Sequence, residues 1–265
     1  MNIIVCIKQV PDTADVKVDF EKGTLIREGV ESIMNPFDAY AVEEALRVRE
    51  RLNDGSRVIA ISMGPPQAEA VIKEAIAMGA DDGILLSDRA FAGADTLATS
   101  YSLAMAIRKI GDFGVIFAGR QAIDGDTGQT GPELATWLDI PQVTYVQKIE
   151  EITPEKAIVQ RMTTYGYDRI EVRLPAVFTV VKDINQPRLP SFRGVMKAKR
   201  FKVKVWTADD VNADKRFIGL DGSPTRVKKM FAPPQKHRQG VKWEGDPVEL
   251  AEKLAEELRK LGLIR

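Results

Sequence analysis

The sequence has very little cysteine and histidine, since its 265 residues include one of each. A zinc site or a Cys–His catalytic pair needs more of these side chains, so we expect neither a metal site nor that kind of catalysis. Cys6 has no partner for an internal disulfide, and Met1 leads directly into a strand-like run rather than a signal peptide. These features predict a chain that works in the reducing cytoplasm.

The sequence also lacks an excess of charge and any long apolar run. Lys+Arg and Asp+Glu number 38 each, which argues against nucleic acid as a bulk electrostatic partner. No stretch of about 18 apolar residues occurs, so no membrane span is predicted and any membrane association would come through a partner. No catalytic constellation is recognisable. The adjacent pairs Glu43-Glu44 and Asp81-Asp82 are interpreted as solvated or capping side chains.

What is present is an alternation of apolar strands and helices in the first half of the chain. Strands are predicted at residues 3–10, 57–63, 83–86 and 115–118, and helices from Asn35-Pro36 and at 68–78, 95–110 and 127–138. Such an alternation predicts an α/β fold with a doubly wound, mostly parallel sheet that is covered on both faces. Ligands of these sheets bind beyond the carboxyl ends of the strands.

The pattern changes after Pro141. Strands are predicted at 143–152, 157–163, 170–174 and 176–181 without crossover helices, so we expect antiparallel additions to the sheet. Residues 183–240 carry several prolines and little periodicity, apart from a basic run at 197–204 that is interpreted as an extended strand with one wet face. This segment and a final helix at 248–261 predict a C-terminal arm that wraps a partner. The expected domains are therefore 1–182 and 183–265.

A glycine-rich turn at residues 119–132 joins a predicted strand to a predicted helix. Gly125, Gly128 and Gly131 permit positive φ angles and a close approach of the backbone to a ligand. Free N–H groups and the helix dipole at such a turn favour an anion, so a nucleotide phosphate is one interpretation. An ordinary tight strand–helix turn is the other, because the spacing matches neither a Rossmann nor a Walker motif.

Side chains in the turn are compatible with a nucleotide. Thr127 and Thr130 offer hydroxyl groups to phosphate oxygens, and Arg120 would balance phosphate charge. The carboxylates of Asp124 and Asp126 suit ribose hydroxyls or helix capping better than phosphate. A nucleotide site and an ordinary turn with a capping aspartate therefore both stay open.

Three further segments are predicted to reach the same edge of the sheet. Lys8 ends the first strand, Asn35 begins a helix, and Asp95 and Thr96 begin another. Each has a simpler interpretation, a solvated lysine or a helix cap. Their convergence on one edge is a stronger indication of a ligand site than any of them alone.

These residues resemble the beta subunit of electron-transfer flavoprotein over almost the whole chain. The motifs that carry the resemblance are residues 5–11, 34–37 with 41–45, 75–81, 119–124 and 195–199. The resemblance implies a heterodimer with an alpha subunit that carries FAD, and a structural AMP in the beta subunit of ordinary members. The implied site is Cys6, Asn35, Pro36, Phe37, Asp38, Met63, Gly119, Arg120, Gln121, Ala122, Ile123, Asp124, Gly125, Asp126, Thr127, Gly128, Gln129 and Thr130.

The loop departs from the ordinary members, which have three consecutive aspartates where this chain has Asp124-Gly125-Asp126. Together with residues 93–98, this sequence is similar to the electron-bifurcating branch, although Gly128-Gln129 differs from the alanine more often found there. That branch implies a second FAD in place of AMP, with NADH as electron donor. One electron then goes through the alpha-subunit FAD to a high-potential acceptor, such as a dehydrogenase or a quinone oxidoreductase, and the other to ferredoxin or flavodoxin.

Two alternatives remain open at this point. One is a non-bifurcating beta subunit with structural AMP, and the other is a nucleotide-hydrolysing or adenylating enzyme, which lacks the pyrophosphate loop it would need after the first strand. The resemblance also implies a docking loop at 185–196, where Phe192 is the candidate apolar anchor for the acceptor protein. A buried core contact is the other interpretation of Phe192.

Overall fold

The computed structural model describes residues 1–12, 17–19, 24–26, 32–228 and 240–265. Within this part of the chain, contacts define two compact units, Met1–Met230 and Phe231–Arg265. The strands are β1 Asn2–Cys6, β2 Gln9–Pro11, β3 Lys17–Asp19, β4 Thr24–Ile26, β5 Ser32–Met34, β6 Arg57–Met63, β7 Asp82–Leu86, β8 Phe113–Gly119, β9 Gln142–Ile152, β10 Lys156–Thr163, β11 Gly166–Arg173, β12 Ala176–Val180 and β13 Lys204–Trp206. The α-helices are α1 Pro36–Leu52, α2 Glu69–Met78, α3 Thr96–Ile110, α4 Thr130–Leu138, α5 Phe192–Arg200 and α6 Pro247–Lys260.

The first unit is built on a mixed sheet that has nine strands among the described residues, in the order β11-β10-β9-β12-β8-β1-β6-β7-β13. All neighbours from β9 to β13 in this order are parallel, and β10 pairs antiparallel with both β9 and β11. The predicted α/β fold with a mostly parallel sheet and added antiparallel strands is therefore confirmed.

Two hydrophobic cores cover the two faces of this sheet. Successive side chains of a strand point to opposite faces, and β1 shows this directly. Ile3 and Val5 belong to one core, with side chains of α1 and α2, whereas Ile4 and Cys6 belong to the other, with side chains of α3 and α4. Helices on both faces explain why the central strands are continuously apolar.

The first strand is shorter than predicted. The sequence indicates a strand from 3 to 10, but β1 ends at Cys6, and Gln9–Pro11 pairs antiparallel with β5 in a separate small sheet. The backbone leaves the main sheet at Lys8, where its N–H donates to the carboxylate of Asp38 rather than to a neighbouring strand. This departure brings Lys8 to the start of α1.

The prediction that residues 143–152 and 176–181 form antiparallel additions to the sheet is wrong. Strand β12 lies between β8 and β9 and is parallel to both. The absence of a crossover helix was the reason for the prediction, but the antiparallel pair β10–β11 provides the crossover between the parallel strands β9 and β12. A β-strand excursion thus replaces the usual helix.

The expectation of irregular structure after residue 183 is also wrong in part. Helix α5 covers the first half of the basic run 197–204, which was interpreted as a strand, and packs against α2. Strand β13 then joins the main sheet parallel to β7. The domain boundary after 182 and the wrapping of a partner stay predictions, and residues 229–239 of the predicted arm lie outside the described residues.

The second unit contains the predicted final helix, α6. Asp246 caps it by accepting hydrogen bonds from the backbone N–H groups of Val248 and Glu249, and Pro247 occupies its first turn. The Lys253 ammonium lies 5.0 Å from the ring centroid of Trp243. Among the described residues of both units, no helix is long and apolar enough to span a bilayer.

Candidate nucleotide site at the sheet edge

The candidate site lies where the chain changes direction across the sheet. From β1 the chain passes to β6 and β7 on one side, and then to β8 on the other side of β1. Such a switch point leaves a crevice outside the carboxyl ends of the two central strands. Residues that follow β1 and β8, namely Lys8 and the loop from Gly119, therefore meet at this edge.

Asp38 connects the two strand ends to α1. Its carboxylate accepts hydrogen bonds from the backbone N–H of Lys8 at 2.7 Å and from that of Gly119 at 3.2 Å. Asp38 is 5% exposed, and burial raises the pKa of its carboxyl group to about 7, although these hydrogen bonds oppose the rise. Asp38 therefore supports the ends of β1 and β8, and its contact with a cofactor stays a prediction.

Gly119 allows the start of α1 to lie close to the end of β8. A Cβ atom at this position would lie 2.4 Å from Oδ1 of Asp38 and 2.7 Å from Cβ of Phe37. Both neighbours belong to the first turn of α1, which therefore packs directly on the end of β8. The glycine is required here by contact and not by a positive φ angle.

Asn35 links the same helix to the loop after β8. Its side-chain amide donates to Oδ1 of Asp38 and to the carbonyl of Gln121, both at 2.9 Å, and its Oδ1 accepts from the N–H of Ile123 at 3.2 Å. The prediction that Asn35 caps α1 through its side chain is wrong, because no such cap forms. The buried amide instead holds the loop against α1.

Two polar contacts shape the middle of the loop. The Lys8 ammonium donates to both carboxylate oxygens of Asp124, at 2.7 and 2.8 Å. The Gln121 amide donates to Asp126 at 2.7 Å. Asp124 therefore neutralises Lys8, which leaves Arg120 as the loop cation without a carboxylate partner among the described residues.

The N-termini of α3 and α4 differ in how their backbone donors are used. Asp95 caps α3 by accepting from the N–H of Ala98, and its other oxygen accepts from the N–H and hydroxyl of Thr225. Gln129 makes no side-chain cap at α4. Pro132 has no N–H and the N–H of Glu133 donates to the carbonyl of Gln129, so the N–H groups of Thr130 and Gly131 are the donors that the start of α4 leaves for a group such as a phosphate.

The hydroxyl of Thr96 joins the starts of α3 and α4. It lies 3.3 Å from Oε1 of Gln129 and 3.2 Å from Oε1 of Glu133. Burial, and to a smaller extent the charge of Asp95, raises the pKa of Glu133 above its usual value. Glu133 and Thr225 were not predicted, and nothing in their local sequence distinguishes them from ordinary surface residues.

Arg120 lies near two aromatic rings. Its guanidinium carbon is 5.3 Å from the ring centroid of Phe37 and 5.5 Å from that of Tyr145. Tyr145 has a positive φ of 57° within β9, where the register with β12 shifts. Bulges of this kind turn a side chain toward a site, and Tyr145 was missed because a bulge leaves no signal in the apolar alternation.

The other predicted residues surround this framework. Cys6 is buried at the end of β1, where burial and, secondly, the charge of Asp38 raise the pKa of its thiol to about 12. Met63 is half-buried at the end of β6. The exposed tip consists of Asp124, Gly125, Asp126 and Thr127, and the backbone turns there because the N–H of Asp126 donates to the carbonyl of Ala122.

A separate groove of about 580 Å³ lies along α4 and the turn into β9. Its lining includes Glu133, Thr136 and Gln142, but none of the loop residues 119–130. The groove carries no cationic side chain among its lining residues, whereas the loop has Arg120 and leads into the uncapped start of α4. The chemistry therefore marks the loop as the candidate site.

Glu43 and Glu44 are not solvated, contrary to the interpretation of the sequence. They are 2% and 1% exposed, and they accept hydrogen bonds from Arg47 and Arg51 respectively, both at 2.7 Å. Adjacent side chains on α1 can both be buried because the sheet covers one face of this helix and residues 184–188 cover another. Phe192, by contrast, is 84% exposed, so a buried core contact is excluded.

Comparison with known proteins agrees with this architecture. The model of the electron transfer flavoprotein domain family matches residues 22–211. The chain is 51% identical to an electron transfer flavoprotein subunit beta of Thermoanaerobacterium thermosaccharolyticum over the full length of both proteins. It is 54% identical to the subunit of the same name from Clostridium acetobutylicum, over 86% of this chain and 87% of the relative.

A third relative belongs to a named complex. It is the caffeyl-CoA reductase-Etf complex subunit CarD of Acetobacterium woodii, which is 50% identical over 89% of each chain. Both the family match and the full-length similarity exceed what a shared fold alone would give. The chain therefore belongs to the electron transfer flavoprotein family, as a beta subunit.

Proposed function

We propose that this chain is the FAD-binding beta subunit of a heterodimeric electron transfer flavoprotein that oxidises NADH and bifurcates the electrons. Its partner is an alpha subunit with its own FAD, and the electrons leave to a high-potential dehydrogenase or quinone oxidoreductase and to ferredoxin or flavodoxin. We place this assembly in the cytoplasm. The flavin, when bound, supplies hydride acceptance and the division into single electrons.

The observation that carries the proposal is the loop at the switch point. The uncapped start of α4 offers backbone N–H groups to a pyrophosphate, and Asp38 and Asn35 fix the loop from behind. A Cβ atom at Gly125 would meet no heavy atom within 4 Å. Gly125 lies at the exposed tip of the loop, where it adds no third carboxylate to those of Asp124 and Asp126, and this favours a ligand with a second phosphate group over AMP.

The chain's own contribution is binding and orientation. The guanidinium of Arg120 lies near the rings of Phe37 and Tyr145, and its Nε donates to the side-chain oxygen of Gln121 at 2.9 Å, so the loop presents a cation that is held by several contacts. No acid–base side chain is required for hydride transfer to a flavin. The absence of a catalytic constellation in the sequence is consistent with this role.

An anaerobic titration of the purified heterodimer with NADH tests the proposal. If the beta subunit holds a second FAD, full bleaching of the flavin absorbance requires two molar equivalents of NADH per heterodimer. A beta subunit that holds a structural AMP would leave one flavin to be reduced. Uptake of one equivalent or less, with AMP in the acid extract, would contradict the proposal.

A further inference from the structure

The segment from Leu189 to Arg193 is an exposed bridge between two anchored points. Leu189 and Phe192 are 90% and 84% exposed. On the C-terminal side, Gly194 packs so closely on the end of α2 that a Cβ atom there would lie 2.1 Å from the carbonyl oxygen of Ala77. Exposed apolar side chains on a fixed segment are typical of an interaction surface.

The anchor on the N-terminal side is Arg188. Its Nε donates to Oε2 of Glu43 at 2.7 Å, its Nη2 lies 3.2 Å from Oε1, and its backbone N–H donates to Oε2 at 3.1 Å. The same guanidinium donates to Glu50 at 2.7 Å. Hydrogen bonds from Arg188 and Arg47 outweigh the effect of burial and lower the pKa of Glu43.

A second contact fixes the base of the same segment. The side-chain amide of Asn185 donates to the carbonyl of Tyr40 at 3.0 Å and to Glu44 at 3.1 Å. Glu43 and Glu44 are therefore both used to hold residues 185–188. A bidentate arginine fixes direction as well as position, because its planar fork fits a carboxylate in one orientation.

We propose that Glu43 is a positioning residue that, through Arg188, sets the direction in which Leu189 and Phe192 are presented to the acceptor protein. This inference rests on the proposed electron transfer to a docked acceptor. Glu43 follows Asp38 by five residues on α1, which is about 7.5 Å of helix rise. The same helix therefore fixes both the loop from Gly119 and the segment that carries Leu189 and Phe192.

The advantage of this arrangement is preorganisation. A free surface segment would lose conformational freedom when it docks, and that entropy would be subtracted from the affinity. Arg188 is held by Glu43 of α1, and Gly194 packs on Ala77 of α2. These two contacts order the segment before the partner binds and so reduce the entropy that is lost on docking. The result is an apolar pair whose placement relative to the cofactor loop is fixed by the beta subunit itself.

The test compares Arg188→Gln and Glu43→Gln with Arg169→Gln in the purified heterodimer. Arg169 lies on β11 at the far edge of the sheet, where it forms an exposed ion pair with Glu150 of β9, and it serves as the matched control. Two properties are measured: amide hydrogen exchange of peptide 186–196, and the KM for a dehydrogenase that the wild-type heterodimer reduces. Reduction of a small dye, which needs no docking, is recorded in parallel.

In both Arg188→Gln and Glu43→Gln, we expect the backbone amides of peptide 186–196 to exchange hydrogen at least several-fold faster than in the wild type. Exchange in residues 201–206 should be unchanged. The KM for the dehydrogenase should rise about tenfold, while dye reduction and flavin content stay at the wild-type level. Arg188→Lys, which keeps the charge but loses the fork, should lie between. If either Arg188→Gln or Glu43→Gln fails to assemble into the heterodimer, the other variant gives the same information.

Phe192→Ala separates the failure of this inference from the failure of the docking function. If Phe192→Ala leaves the KM for the dehydrogenase unchanged, docking through this segment is wrong, regardless of the results for Arg188→Gln and Glu43→Gln. If Phe192→Ala raises the KM but Arg188→Gln changes neither the KM nor the exchange of 186–196, the positioning role of Glu43 is wrong.

Discussion

At the scale of single residues, several polar side chains predicted to contact a ligand are used to hold the backbone of the site. Asp38 and Asn35 bind main-chain groups of Lys8, Gly119 and Gln121. The sequence could place them at the sheet edge, because strand ends and helix starts are readable from apolar periodicity. It could not show which atoms they bind, since that depends on how closely α1 approaches β8.

Gly119→Ala should destabilise the protein and weaken nucleotide binding. The added Cβ atom would lie 2.4 Å from Asp38 Oδ1 and 2.8 Å from the backbone carbon of Phe37, so the start of α1 must move. Overpacking of this kind costs about 1–3 kcal/mol. Urea unfolding and nucleotide content are the measurements.

Gly125→Ala is the matched control for this substitution. It lies in the same loop, but nothing lies within 4 Å of the added atom. Its unfolding free energy should equal that of the wild type within about 0.5 kcal/mol. Equal destabilisation by both substitutions would show that the contact with α1 is not the cause.

The buried carboxyl group of Asp38 should give the protein a measurable pH dependence. Its pKa is raised from 3.8 to about 7 in the folded state, so the folded state binds the proton more tightly than the unfolded state. The resulting stability is present in full below pH 4 and is lost as pH rises through 7, at up to about 1.4 kcal/mol per pH unit.

Comparison with Asp38→Asn isolates this contribution. Between pH 5 and 7, the free energy of unfolding of the wild type should fall relative to that of the variant, because the amide does not titrate. Chemical denaturation at a series of pH values measures the difference. A difference that stays constant, or that grows with rising pH, would contradict a raised pKa at Asp38.

At the scale of elements, α1 does more than the sequence indicates. Its start supports the nucleotide loop, and its buried carboxylates hold residues 185–188. The sequence suggested that adjacent acidic side chains diverge into solvent, and this was wrong because a later segment of the chain covers α1. Long-range contacts of this kind leave no local signal. Helix α5 was not predicted either, because the alternation of basic and apolar residues at 197–204 was interpreted as an extended strand.

Gly194→Ala tests how α5 is attached. Alanine favours a helix intrinsically, by about 0.5–1 kcal/mol over glycine. Here the added atom would lie 2.1 Å from the Ala77 carbonyl oxygen, which is backbone and cannot give way locally. We therefore expect net destabilisation of about 1–3 kcal/mol and faster hydrogen exchange in 192–200. Stabilisation would show that α5 is free to move away from α2.

At the scale of the whole molecule, the fold and the edge that carries the site follow from the sequence. The alternation of strands and helices predicts the parallel sheet, and ligands of such sheets bind beyond the carboxyl ends of the strands. The strand order, and with it the switch point between β1 and β8, is known only from the structure. The position of β12 could not be predicted from the sequence. The connection from β9 to β12 is the strand pair β10–β11, and the spacing of apolar residues does not show that such a pair replaces a crossover helix. Family membership follows from similarity over the full length of the chain, and it does not by itself identify the nucleotide.

The identity of that nucleotide is therefore the central question. The loop with Gly125 and the uncapped start of α4 support FAD in the beta subunit, in addition to the FAD of the alpha subunit. The purified heterodimer should be denatured, and its released FAD and AMP counted per heterodimer by chromatography. We predict two FAD molecules and no AMP. One FAD together with one AMP would contradict the account and assign the chain to the non-bifurcating beta subunits.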